Sequence, residues 1–138
     1  MCSTVEVLIP SGGRKTGLAV VLTGLFGQTF RDFDIVVSDQ GDDEGMLDSA
    51  EIQTLVRAFR YRGRRVRLFR HLPRRGMAEH RHFLLSQSQA DYVHYLDDDV
   101  LLEPEVLERM LGVIREEGCG FVGCAAAGLS FLNDIRPH

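Results

Sequence analysis

Short apolar runs recur along this chain, each followed by a stretch with apolar residues at helical spacing, and that alternation limits the possible folds most. Val5–Pro10 (VEVLIP), Phe33–Asp39 (FDIVVSD), Arg65–Arg70 (RVRLFR) and Asp91–Asp99 (DYVHYLDDD) read as strands, with Gly120–Gly128 (GFVGCAAAG) as a fifth candidate. Helical patterns fill the intervals. They cover Thr16–Gln28, then Leu47–Gly63 with Asp48 and Ser49 as start signals, then Met77 to about Gln89. The last runs from Glu103 to Gly118, with Pro104 in its first turn and Gly118 past its end. Strands alternating with helices imply βαβ units. The expected fold class is therefore α/β, a mainly parallel sheet with helices on both faces and right-handed crossovers.

The 138 residues fit one domain, residues 1–138, able to bury about two thirds of its unfolded surface. No repeat or linker interrupts it. A net charge of −4 gives no reason to expect nucleic acid as a partner. Cys2, Cys119 and Cys124 form no CxxC pair and follow no signal peptide, so a reduced, cytoplasmic setting is expected. The uncharged run near the end is too short and glycine-rich to span a bilayer, which leaves peripheral membrane contact open.

In parallel sheets ligands bind outside the carboxyl ends of the strands. Four polar segments stand at those ends: Ser11–Arg14, Asp39, the Arg74–Gly76 loop and Asp97–Asp99. The last is the most demanding. Two unit charges about 4 Å apart repel by roughly 1 kcal/mol in water and roughly 4 kcal/mol at a surface-like dielectric. Three adjacent carboxylates therefore either splay into solvent or gather a cation. Hard cations such as Mg²⁺ or Mn²⁺ take oxygen ligands, often one or two carboxylates plus substrate phosphates. Asp39 is either a turn-forming residue or an acceptor for a nucleobase or ribose. Arg75–Gly76 before a helix, with Arg81 about one turn inside, offers cations and free N–H groups to a phosphate. Asp42–Gly45 lacks the spacing of a calcium loop. His80 and His82 do not share a helix face and His94 lies within a strand, so zinc is not expected.

The segments VEVLIPSGGR, GQTFRDFDIVVSDQG and RRGMAEHRHFLLSQSQADYVHYLDDDVLLEPEVLERML, in this order, resemble the family 2 glycosyltransferases of the GT-A fold, over roughly Val5 to Gly123. The resemblance implies a Rossmann-like nucleotide-binding half. It places Pro10, Ser11, Gly12 and Arg14 against the nucleotide, Asp39 on the base, and Arg75 and Arg81 where such enzymes carry basic residues near the nucleotide. Asp97 and Asp99 match the ends of the DxD motif, with Asp99 the first choice of metal ligand. Asp97 or Asp98 then serves the ribose or a metal-bound water. The implied donor is a nucleoside-diphosphate sugar, UDP favoured over GDP or dTDP, with a glycan, lipid or small molecule as acceptor.

Two departures stand out. Gly12 and Gly13 occupy positions where the family carries a Tyr-Asn pair, and His82 stands where an Asn is common. The acids after Asp99 lie in or beside a helix, apart from Asp134, and none matches the family's catalytic base. The expectation is a donor-binding portion of a longer enzyme, with its base downstream of His138. The alternatives are a nucleotidyltransferase, a phospho-accepting receiver domain, which needs a late lysine where Lys15 is the only one, and a non-catalytic nucleotide or metal module.

Overall fold

The computed structural model describes residues 2–125. Its order is β1 (Val5–Ser11), α1 (Lys15–Phe26), β2 (Phe33–Asp39), a 3₁₀ turn (Met46–Asp48), α2 (Ala50–Tyr61), β3 (Val66–Arg70), α3 (Met77–Ser86), β4 (Tyr92–Tyr95) and α4 (Val106–Glu117). The four strands form one parallel sheet in the order β3-β2-β1-β4. The expected α/β class and parallel sheet are what the chain adopts.

Several boundaries differ from the sequence reading: α1 ends at Phe26 rather than Gln28, α2 begins at Ala50 after a 3₁₀ turn rather than at Leu47, and α3 ends at Ser86 rather than near Gln89. Asp97–Asp99 lie in a turn just past β4, at the strand end where the sequence reading has them. Pro104 precedes α4 instead of sitting in its first turn, because Glu105 is the helix cap; Gly118 closes α4 in the left-handed conformation at φ 60°. Of the fifth strand candidate, Phe121–Ala125 form no strand and residues 126–128 lie outside the described residues, as does Asp134. The glycines of that run leave it few side chains to pack.

Alternation along β1 and β2 divides the interior. Val5, Val7, Ile9, Phe33, Ile35 and Val37 meet Leu18, Val21 and Leu22 of α1, Ile52, Val56 and Phe59 of α2, and Leu107 and Leu111 of α4 in the main core. The opposite face is smaller: Leu8 and Val36 pack on Leu84 of α3, with Phe69 and Val93 beside them. Helices thus cover both faces, which is why both central strands are buried along their whole length.

The α3 face also carries charge. Glu6, 1% exposed, accepts a hydrogen bond from Arg67 Nη2 at 2.8 Å and lies 3.6 Å from Arg65. His80, equally enclosed, shares a 2.8 Å hydrogen bond with the Ser38 hydroxyl and pins α3 to β2. Burial, reinforced by the nearby His71, lowers the His80 pKa, and burial alone lowers that of His94. Both are thus held neutral in the fold more firmly than in the unfolded chain.

Two predictions follow from this packing. Glycine to alanine in a helix ordinarily stabilises by about 1 kcal/mol. Gly112 of α4 has open space around its missing side chain, so Gly112→Ala should raise the melting temperature. Gly17 of α1 is the opposite case. A methyl there would run into the Asp98 carbonyl oxygen, and Gly17→Ala should cost about 1–3 kcal/mol in calorimetry, the range of an overpacked site. Equal effects of the two substitutions would contradict this packing.

The histidines set the second. Their depressed pKa values mean the unfolded chain takes up protons first as pH falls below about 6.5. Stability should hold above that pH and decline between about 6.5 and the lower folded values. Melting temperatures at pH 7.5 and 5.5 should differ accordingly, and His80→Gln should flatten the difference; a wild-type curve flat across this interval would refute it.

Candidate functional site

Parallel pairing puts strand ends level. Ser11 of β1 stands beside Asp39 of β2, and Asp39 beside Arg70 of β3. β4 is shorter, and its continuation turns over the end of β1, with the Leu96 N–H bonded to the Leu8 carbonyl. The acidic triplet therefore arrives directly above Ser11 and Gly12.

Asp39 is fully buried. Its Oδ1 accepts the N–H groups of Gly13 (2.9 Å) and Gly41 (3.1 Å), and its Oδ2 accepts from Arg70 Nη1 at 2.8 Å. Arg70 also donates to the Gly41 carbonyl at 2.9 Å. The two loops meet so closely that a methyl on Gly41 would overlap the Gly13 backbone, and Gly13 takes a φ of 86° that favours glycine. The glycines in place of bulkier residues are the condition for this contact.

No partner is common to all three carboxylates of the triplet, although Asp98 and Asp99 both lie beside Arg14. Asp98, buried, accepts from the Ser11 hydroxyl (3.2 Å) and the Gly12 N–H (3.1 Å) on Oδ2, with Arg14 3.7 Å from Oδ1. Asp99 pairs with Arg14 at 2.6 Å. Asp97 pairs with Arg81 of α3 at 3.3 Å. Charge is thus divided among two guanidiniums and a hydroxyl–amide pair, so the cations that the triplet gathers in this structure are arginines.

Between these elements opens a cavity of about 400 Å³. Pro10, Ser11, Gly12 and Arg14 form one wall, Asp97, Asp98 and Asp99 a second, and Gln40, Arg74, Met77, His80 and Arg81 the rest. Seven of the residues named from sequence for the nucleotide are therefore brought together: Pro10, Ser11, Gly12, Arg14, Arg81, Asp97 and Asp98. Asp99 joins them, and two others do not. Asp39 sits behind the wall with both oxygens occupied. Arg75 is exposed and does not border the cavity; Arg74 does, anchored by the Gln40 carbonyl and by Asp42 at 2.8 Å.

Gln40, Met77 and His80 were not singled out for the cavity in advance. Gln40 follows a strand end directly, and His80 lies one turn into α3, so strand-end position and helical spacing carried some signal.

Among the described residues no three His, Cys, Asp or Glu side chains are grouped to hold a metal ion. Asp97 Oδ2 and Asp99 Oδ1 nevertheless have no hydrogen-bond partner there, and both carboxylates are about half exposed on the same cavity. Two hard oxygen donors fit a cation that completes its shell with phosphate and water, not a site built wholly of protein.

Among known proteins, one curated relative is an uncharacterised glycosyltransferase of Haemophilus influenzae, 26% identical over 111 residues, covering 80% of this chain and 34% of that one. Among solved structures, S. aureus TarS 1–349 superposes with a TM-score of 0.63 at 22% identity, over 83% of this chain and 33% of TarS. The mannosyltransferase PcManGT of Pyrobaculum calidifontis, solved with GDP-Man and Mn²⁺, gives 0.66 at 18% identity over the same shares. Their fold is the one found here, and the chain spans about a third of the length of each. The model of glycosyl transferase family 2 matches residues 6–131, from β1 past the end of α4, and the chain belongs to that family.

Proposed function

We propose that this chain binds the nucleoside-diphosphate-sugar donor of a glycosyl transfer, with a divalent cation, in the cavity at the strand ends. The observation that carries the reading is the meeting of Arg14, Arg74 and Arg81 with half-exposed Asp97 and Asp99 around one cavity of about 400 Å³. Guanidiniums suit the diphosphate, and the two carboxylates suit Mg²⁺ or Mn²⁺ shared with it. The ligands of relatives agree in kind: TarS has been solved with UDP and with UDP-GlcNAc, and PcManGT with GDP-Man and Mn²⁺.

Asp99 and Asp97 would hold the cation, which when bound supplies positive charge against the departing diphosphate. Arg14 and Arg81 are paired with those same carboxylates at the surface, in bonds worth about 0–1 kcal/mol each. They can turn from carboxylate to phosphate at small cost. In the transfer an acceptor oxygen bonds to the anomeric carbon with inversion, and the bond from that carbon to the phosphate oxygen breaks toward the diphosphate. The acceptor proton needs a base. The only carboxylates lining the cavity among the described residues are Asp97, Asp98 and Asp99; Asp98 is bonded to Ser11 and Gly12, and Asp97 and Asp99 would hold the cation. The 138 residues alone are accordingly expected to bind donor and to transfer little or no sugar.

A thermal-shift panel of UDP, GDP, dTDP and ATP with and without Mn²⁺ tests this. A ligand at about 100 times its Kd stabilises by about 2.7 kcal/mol, several degrees for a domain of this size. The expected result is a Mn²⁺-dependent shift with a diphosphate, lost in Asp99→Asn, which keeps an acceptor for Arg14 but removes the charge. A larger shift with ATP would favour a nucleotidyltransferase, and a flat panel would refute the reading.

A further inference from the structure

We propose that a second binding site, for a small aromatic carboxylate, lies at the amino ends of the strands, away from the donor cavity. A recess of about 160 Å³ opens there between the end of α1, the start of β2 and the end of α2. Leu25, Phe26, Phe33 and Phe59 supply its apolar lining, and the Phe59 ring stands edge-on to those of Phe26 and Phe33 at 5.3 and 6.3 Å. Arg31, Arg62 and Arg64 supply its charge.

The three guanidiniums are not balanced. Among the described residues only Asp32 comes within ion-pair distance of any of them, 3.6 Å from Arg64, and Asp32 is itself bonded to the Thr4 hydroxyl and N–H. Arg31 is exposed and pairs with no described residue. Gln28, which also lines the recess, is already engaged: Nε2 donates to the Glu103 carbonyl at 2.8 Å, and Oε1 accepts the Leu107 N–H at 3.1 Å. The unmet polar demand is therefore for negative charge. Arg62 is set to meet it. Its guanidinium carbon lies 3.5 Å from the centre of the Phe26 ring, and Nη1 donates to the Phe26 carbonyl at 2.9 Å. A guanidinium held in this way loses little further freedom when it takes an anion.

Size selects the rest of the ligand. An apolar cavity of about 150 Å³ takes one benzene ring, and a ring can meet the phenylalanines edge-on or offset. A planar carboxylate matches the fork of a guanidinium. One ring bearing one carboxylate satisfies both halves of the recess. A neutral ring leaves the arginines unpaired, and a bare anion leaves the phenylalanines uncovered. The two sites are separate. α1, 12 residues or about 18 Å long, runs from beside Arg14 of the donor cavity to Phe26, and no residue lines both cavities.

Calorimetric titration of the full chain, without metal, with phenylacetate, phenylacetamide and acetate tests the site. Phenylacetate should bind saturably and about tenfold more tightly than either the uncharged amide or acetate, the worth of one charge-assisted hydrogen bond. Arg31→Gln removes a charge without stranding a partner, so it should weaken phenylacetate severalfold and leave the melting temperature unchanged. Arg14→Gln, in the donor cavity, should bind phenylacetate as wild type does. Comparison of the acid with its amide needs no substitution, so the proposal stands or falls on wild type alone. Absence of saturable phenylacetate binding, equal binding of the amide, or binding undiminished in Arg31→Gln overturns it. So does loss of binding in Arg14→Gln, which would put the acid in the donor cavity.

Discussion

A single buried carboxylate, that of Asp39, joins the three strand ends on which the site rests. Burying an ion costs several kcal/mol, which the mutual attraction of a pair offsets only with good geometry and further hydrogen bonds. Here Arg70 supplies the charge at 2.8 Å and the Gly13 and Gly41 amides supply the rest. Against an apolar pair of the same shape the arrangement gains little, but losing either partner strands a charge, at about 3–5 kcal/mol. Its value is therefore positional. It fixes the first loop against the second, and the first loop in turn presents Ser11 and Gly12 to Asp98.

The acidic triplet depends on that placement. Asp98 turns inward to donors the first loop provides, while Asp97 and Asp99 diverge to Arg81 and Arg14. Two strengths of interaction result. The inward bonds are shielded from water and salt, whereas the outward pairs lie where a surface-like dielectric holds them near 0–1 kcal/mol. Only the outward pairs are weak enough to rearrange around a ligand. A rigid centre flanked by exchangeable arms is what a site needs when it must hold its shape and still receive a charged molecule.

The sheet was legible because Val, Ile and Leu dominate its central strands and because proline and glycine punctuate the chain. The exact limits of β4 and α4 were less so: Asp97 continues an apolar run in sequence, yet the chain turns away once Leu96 has bonded to Leu8. The order of strands and helices put the acids and arginines at one edge of the sheet, since each follows the carboxyl end of a strand. It could not tell Arg74 from Arg75, since which of two adjacent side chains faces inward depends on loop geometry that spacing does not encode. For Asp39 the sequence leaves two readings, a turn-forming residue or an acceptor for a base or ribose, and only the family resemblance puts it on the base. The burial of Asp39 follows from the level pairing with Arg70, which requires the register of β3. Gln40 went unnoticed because a polar residue after a strand reads as loop.

The two faces of the sheet divide the labour of stability and binding unequally. α1 and α2 contribute Leu18, Val21, Leu22, Leu25, Ile52, Val56 and Phe59 to the main core. α3 buries only His80 and Leu84, over a face where Glu6, Ser38 and Asp34 are also enclosed. Yet α3 carries Met77, His80 and Arg81 of the cavity wall. Binding loops and walls are drawn from the less stable parts of a fold, where few apolar contacts resist adjustment. The hydrogen bond between Ser38 and His80 matters for that reason. A directional bond at 2.8 Å gives α3 one orientation on a face whose apolar area is too small to impose it. It keeps Arg81, the next residue along, opposite Asp97.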